Sequence, residues 1–274
     1  MVTASGAVPA LDRLISQAPP EGPALGVVRA AVDQLDQCTL AELEQARLLR
    51  RVDTKFVLSI DQLAAVLSDL RGQYEVLHLD GETLHRYENQ YFDTFDRANY
   101  RAHHNDDVGR VKYRYRRYEG TGEVFFETKH KTNTGRMLKE RVAVPAMGRT
   151  LGPETRELIT AVGHHHPDEL VPTLWGSFFR LAIVARDRSE RATIDVAIEF
   201  AMGDRTAATR RLAVAEVKQP RFDNRSPLVD AITGHGGRQS RFTKYCVGLL
   251  AVDRQRKHNA FKPVLRLVEA IENS

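Results

Sequence analysis

Residues 110–118 read RVKYRYRRY, residues 122–131 read GEVFFETKHK and residues 137–141 read MLKER. In the first stretch Lys112, Arg114 and Arg116 alternate with Val111, Tyr113 and Tyr115. In the second, Glu127, Lys129 and Lys131 alternate with Phe126 and Thr128, and Lys139 and Arg141 follow in the third. Successive side chains of a β-strand point to opposite faces, so each set of charges occupies one face of its strand. Between Arg110 and Arg141 there are ten Lys/Arg against four Asp/Glu, whereas the whole chain has a net charge of only +4. Adjacent cations on one face repel one another unless an anion lies over them. The pattern therefore points to a bound polyanion, since a solvated outer face would mix the two signs.

The period-two charge recurs in Arg51-x-Asp53-x-Lys55, Arg191-x-x-x-Asp195 and Glu216-x-Lys218. Arginine forks fit phosphate oxygens two at a time, and lysine supplies mobile point charge. The isolated carboxylates Glu127 and Glu216 suit a hard divalent ion, Mn²⁺ or Mg²⁺, shared with substrate phosphates. A nucleic-acid surface also interleaves cations with aromatic rings. Carboxylates within each cationic face count against that reading, because they repel a phosphodiester backbone.

Strand patterns occur at 51–58, 73–79, 86–93, 109–118, 122–131, 136–144, 173–185, 190–200 and 211–218. Capping boxes at Thr39-Leu-Ala-Glu42 and Ser59-Ile-Asp-Gln62 start helices that run to about 49 and over 61–70. Helical or loop segments follow near 96–103, 153–162 and 226–232, and helices close the chain at 242–251 and 261–272. Short connections between long strands predict an α+β protein with a mostly antiparallel sheet. The faces opposite the charges are apolar, as with Ala192, Ile194, Val196 and Ile198 opposite Arg191, Thr193 and Asp195. A sandwich would turn the charges outward; a barrel of about eight strands, covered outside by helices, would collect them around one slender ligand. Periodicity alone leaves both open.

The 274 residues, 42% hydrophobic and 28% charged, suit a single folded domain over 37–274 behind an Ala/Pro/Gly-rich leader at 1–36, with a short helix near 25–35. The start lacks the basic-then-apolar pattern of a signal peptide, and no long apolar run reads as a membrane span. Cys38 and Cys246 share no ligand spacing and read as free thiols, so a cytoplasmic protein is expected. The His164-His165-His166 run and Gly234-His-Gly-Gly237 read as loops rather than as metal or phosphate sites.

In order, Tyr91-Phe92-Asp93-Thr94, Lys112-x-Arg114-x-Arg116, Glu127-Thr-Lys129, Lys139-x-Arg141, Arg191-Ala-Thr-Ile-Asp195, Glu216-Val-Lys218 and Thr243-Lys244-Tyr245 resemble VTC-type polyphosphate polymerase domains. These belong to the CYTH-like triphosphate tunnel metalloenzymes, and the resemblance covers roughly residues 46–250. It implies a β-tunnel that transfers the ATP γ-phosphate to a growing polyphosphate chain with Mn²⁺ or Mg²⁺. By position, Arg114, Arg116, Lys129, Arg180, Arg191 and Lys244 look like the catalytic phosphate-binding residues, with Lys55 and Lys139 beside them. Glu216 looks like the metal ligand, joined by Glu127, and Thr243 looks like a phosphate-contacting hydroxyl. Arg51, Lys112, Lys131, Arg141, Lys218 and Arg241 complete the expected wall. Arg51 replaces the first carboxylate of the phosphatase and cyclase branch, Phe178 stands where the polymerases tend to have Tyr, and Thr243 replaces Ser. A tripolyphosphatase or nucleoside-triphosphate hydrolase of the same superfamily is the alternative, and a non-catalytic polyanion or nucleic-acid-binding module is another. The expected partners are ATP and polyphosphate or triphosphate, with a separate membrane protein as a further candidate and no nucleic acid.

Overall fold

The computed structural model describes residues 22–46, 51–132 and 137–274. Its strands join in one sheet of twelve: β1 (Asp36–Cys38), β2 (Val52–Ser59), β3 (Tyr74–Leu77), β4 (His85–Thr94), β5 (Val111–Tyr118), β6 (Val124–Lys131), β7 (Met137–Val144), β8 (Leu170–Ala185), β9 (Arg191–Met202), β10 (Arg205–Ala208), β11 (Leu212–Gln219) and β12 (Arg238–Gln239). The helices are α1 (Pro23–Val32), α2 (Leu40–Gln45), α3 (Ile60–Asp69), α4 (Ala98–Asn105), α5 (Pro153–Val162), α6 (Pro227–Gly234), α7 (Lys244–Val252) and α8 (Lys262–Glu272).

The main ladder runs β12-β2-β11-β9-β8-β4-β5-β6-β7, antiparallel throughout, and among the described residues only the short β1–β3 pair is parallel. Among the described residues β7 makes no ladder with β2 or β12, so the curl of the sheet is not closed by hydrogen bonds. The α+β arrangement is as expected, with twelve strands rather than about eight and with an open seam.

The apolar faces point outward and helices cover them. Val111, Tyr113, Tyr115 and Phe126 pack with Ile159 of α5. Ile183, Ile194, Ala215 and Val217 pack with Val28 of α1, Leu63 of α3 and Leu228 of α6. Burying these side chains, each worth roughly 1.5–3 kcal/mol when fully enclosed, fixes the register and so fixes the charges on the opposite, concave face. Both capping boxes form: Thr39 Oγ1 accepts from Glu42 N at 3.3 Å and Glu42 accepts from Thr39 N at 2.8 Å. Ser59 and Gln62 repeat this at 3.1 and 2.8 Å.

Of the leader expected over 1–36, residues 1–21 lie outside the described residues, while α1 buries Leu25, Val28 and Val32 in the core. Helix α1 and β1 thus pack with the sheet, because an amphipathic helix offers an apolar stripe that covers it. No helix among the described residues is long and apolar enough to cross a membrane. Cys38 and Cys246 are free, and both are buried.

A bulge separates two uses of the concave face. Ala197 in β9, at φ 48, lies where the β8–β9 register shifts between Ser177 and Phe179. On one side of it the concave face is charged. On the other it is apolar, and Val57, Phe178, Ile198, Phe200 and Val214 pack against Tyr245, Cys246 and Leu249 of α7. Helix α7 therefore stoppers one end of the curl. Gly248 makes this approach possible, since a Cβ there would lie 2.4 Å from Phe200 and 2.8 Å from Leu174.

Candidate active site

The charged part of the curl encloses a cavity of about 470 Å³. Among the described residues eleven cations line it: Arg51, Lys55, Lys112, Arg114, Arg116, Lys129, Lys139, Arg180, Arg191, Lys218 and Lys244. Four carboxylates accompany them, Asp53, Glu127, Asp195 and Glu216, which leaves an excess of seven positive charges. The register explains the convergence. Lys112 faces Lys129, Arg114 faces Glu127 and Lys129 faces Lys139 across β5, β6 and β7. On the other wall Arg180 faces Asp195, Lys218 faces both Arg191 and Asp53, and Glu216 faces Lys55.

Each deep carboxylate is clasped by cations. Glu127, only 2% exposed, accepts from Arg114 Nε and Nη2 at 2.9 and 2.6 Å and lies 2.6 Å from Lys139 Nζ. Arg116 Nε is 3.9 Å from it. Asp195 takes Arg180 on both oxygens, at 2.6 and 2.8 Å, and also Lys244. Glu216 accepts from Lys55 at 2.8 Å and sits 3.5 Å from Lys218. Burial works to raise all three carboxyls, and the adjacent cations outweigh it, holding each well below the ordinary range.

The lysines show the reverse balance. Burial, reinforced by neighbouring cations, brings Lys112, Lys218 and Lys244 down to about 8. Burial also lowers Lys129 and Lys139. Lys112 donates to Thr243 Oγ1 at 3.1 Å. Neither Lys112 nor Lys129 contacts a carboxylate among the described residues. A low-dielectric pocket of cations that are only partly neutralised attracts anions.

Aromatic rings brace the cations. Tyr87 stacks on Phe178 at 5.5 Å, with Arg116 and Arg180 over its face at 5.5 and 5.1 Å. Lys244 Nζ lies 4.3 Å from the Phe178 centroid. Phe178 thus serves as a cation platform without needing a hydroxyl.

Fourteen of the seventeen expected site residues line this cavity. Three do not. Arg241 is 88% exposed and reaches only Asp106, at 3.9 Å, because the extended segment turns Phe242 inward and sends its predecessor out. Arg141 shares the face of Glu127, but its guanidinium stacks on Phe125 at 4.4 Å. Lys131 ends β6 beyond the cavity. Asp195, Tyr87 and Tyr91 also line it, although Asp195 and Tyr91 stood in quoted motifs without a site role and Tyr87 in none. An even separation from Arg191 was the available signal for Asp195, whereas Tyr91 reads equally well as wall packing.

Among the described residues no three His, Cys, Asp or Glu side chains gather as a metal cage. The donor set instead suits a hard ion held by one carboxylate and by phosphate oxygens. Glu216, 20% exposed at the cavity wall, fits that role. Glu127 fits it poorly, because it is only 2% exposed beneath Arg114, Arg116 and Lys139.

The sequence pattern of the VTC domain family matches residues 50–252. No match is found among curated proteins. Among solved structures, the chain is similar to the putative adenylyl cyclase HpAC1 from Hippeastrum, described as having a dominant triphosphatase activity, at 16% identity and a TM-score of 0.43 over 72% of this chain and 93% of that one. It is also similar to PH1819 from Pyrococcus horikoshii, at 13% identity and a TM-score of 0.41 over 72% and 95%. A putative adenylate cyclase from Vibrio parahaemolyticus gives 10% identity and a TM-score of 0.38 over 79% and 98%.

Proposed function

Because the chain belongs to the VTC domain family, we propose that it is a metal-dependent polyphosphate polymerase that uses ATP. The observation that carries this reading is the excess of seven positive charges in one narrow cavity. That is more charge than a single triphosphate group neutralises, so donor and acceptor phosphates are accommodated together. Phosphoryl transfer asks little covalent help of a protein; it needs in-line placement and neutralisation of spreading charge. A terminal oxygen of the acceptor chain bonds to the γ-phosphorus of ATP, the bond to the β–γ bridging oxygen breaks, and ADP leaves with that electron pair. Arg114, Arg116, Arg180 and Arg191 supply forks for phosphate oxygens, and Lys129 and Lys244 supply point charge. Lys55, Lys112, Lys139, Lys218 and Arg51 extend the wall, with the Thr243 hydroxyl among them.

Glu216 would hold Mn²⁺ or Mg²⁺ together with substrate phosphates, and such an ion neutralises charge on the transferred group. Glu127 orients Arg114, Arg116 and Lys139 instead.

The test is to incubate purified protein with ATP and Mn²⁺ and to stain a gel for polyphosphate. A ladder of chains accompanied by ADP is expected. ADP with orthophosphate alone would replace the polymerase by a hydrolase of the same superfamily. Tight tripolyphosphate binding without turnover would leave a non-catalytic polyanion receptor.

A further inference from the structure

Helix α7 brings Thr243 and Lys244 into the cavity, yet its own first turn is not capped locally. Thr243 occupies the N-cap position in extended geometry and makes no capping hydrogen bond with its side chain. Its hydroxyl accepts from Lys112 instead. Something else must fix where this helix starts.

The next residue, Tyr245, is 2% exposed, and its hydroxyl donates to Oδ2 of Asp93. Asp93 is wholly buried at the end of β4. Its Oδ1 accepts the amides of Thr94 at 2.7 Å and Asn99 at 2.9 Å, and its Oδ2 accepts the amide of Tyr100 at 3.0 Å. Asn99 and Tyr100 form the first turn of α4, whose own N-cap, Arg97, lies in the left-handed region at φ 64 and caps nothing. One carboxylate therefore ties together the starts of two helices. The Tyr245 ring also packs on Tyr91, 5.3 Å away, and Tyr91 lines the cavity two residues before Asp93.

We infer that Asp93 and Tyr245 are positioning residues: their buried hydrogen bond sets the start of α7 and so places Lys244 and Thr243 against the phosphate chain. This inference rests on the phosphate-binding reading of the cavity. Asp93 does not line the cavity, and Tyr245, which does line it, commits its hydroxyl to Asp93, so the effect of that hydroxyl passes through Lys244. Burial and the Asp93 charge hold the Tyr245 hydroxyl well above its ordinary range, so it stays a donor at any working pH.

The test measures metal-free tripolyphosphate binding by calorimetry for the wild type, Lys244→Gln, Tyr245→Phe and the double variant. Tyr245→Phe should weaken binding about fivefold alone and less than about twofold in the Lys244→Gln background, as expected for coupled sites. Its effect on thermal stability should be the same in both backgrounds, which separates positioning from a general loss of structure. Equal weakening in both backgrounds overturns the inference while leaving the phosphate reading intact. Unchanged binding by Lys244→Gln itself overturns the phosphate reading, and the inference with it. Should Tyr245→Phe fail to fold, hydrogen exchange of the wild type decides. Tripolyphosphate should slow residues 244–247 and the amides of Asn99 and Tyr100 together, and slowing confined to α7 overturns the link.

Discussion

Glu127 and Glu216 show how one residue type takes two roles in the same cavity. Glu216 keeps 20% of its side chain accessible and shares its charge with two lysines, while Glu127 is almost sealed beneath two arginines and a lysine. Glu216→Gln is expected to lower metal-dependent turnover by at least about tenfold, as for disturbed metal sites. Metal-free tripolyphosphate affinity should hold or rise, since a competing anion is gone; a parallel loss of both would refute the metal role. Glu127→Gln should act on stability instead. Removing one partner of a buried ionic cluster leaves uncompensated charge and costs about 3 kcal/mol, to be read from urea denaturation. The sequence shows both glutamates as lone acids among cations, but the difference in burial arises only when β5, β6 and β7 lie side by side.

At the scale of elements, residues with local signatures were legible and those set by distant partners were not. The capping box at Ser59 is written in four consecutive residues, and α3 begins where it says. Ser59→Ala should cost about 1 kcal/mol in a thermal melt while leaving phosphate binding alone. The long strands were legible because alternation persists over many residues. Strands β1, β10 and β12, of three, four and two residues, are too short for any period and exist because a neighbouring strand offers a ladder. The role of Asp93 was hidden for a related reason, since it caps α4 from beyond the usual spacing and reaches Tyr245 far along the chain. Helix α7 is also held one turn further along by the close approach at Gly248. Gly248→Ala must push Phe200 or the helix aside, so about 1–3 kcal/mol of stability should be lost, with weakened tripolyphosphate binding as α7 shifts. Intact binding in a folded variant would show that α7 need not sit where it does.

For the whole molecule, pH should act in opposite directions on stability and on binding. Lys112, Lys218 and Lys244 sit at about 8 in the fold against an ordinary 10.5. Between about pH 8 and 9 these lysines leave the unfolded chain holding more protons than the folded one, so stability of the free protein rises with pH there, until the buried thiols of Cys38 and Cys246, pushed up to about 11, work against it. Over the same window the cavity sheds positive charge, and polyanion affinity falls. Melting curves and calorimetry between pH 7 and 9 check both signs, and stability falling between pH 8 and 9 would contradict the burial of these lysines. Bound tripolyphosphate should raise the melting temperature at pH 7 by mass action, and by less at pH 9.

The clasped carboxylates have a further consequence for how salt acts on the protein. Asp195, Glu127 and Glu216 behave as tethered counterions, always present at high local concentration beside Arg180, Arg114 and Lys55. A phosphate chain binding there would meet cations already partnered by these fixed anions, so few counterions from bulk water would remain to be released. The slope of log affinity against log salt should then fall well short of the eleven cations that line the cavity, because ions held covalently cannot be released into solution.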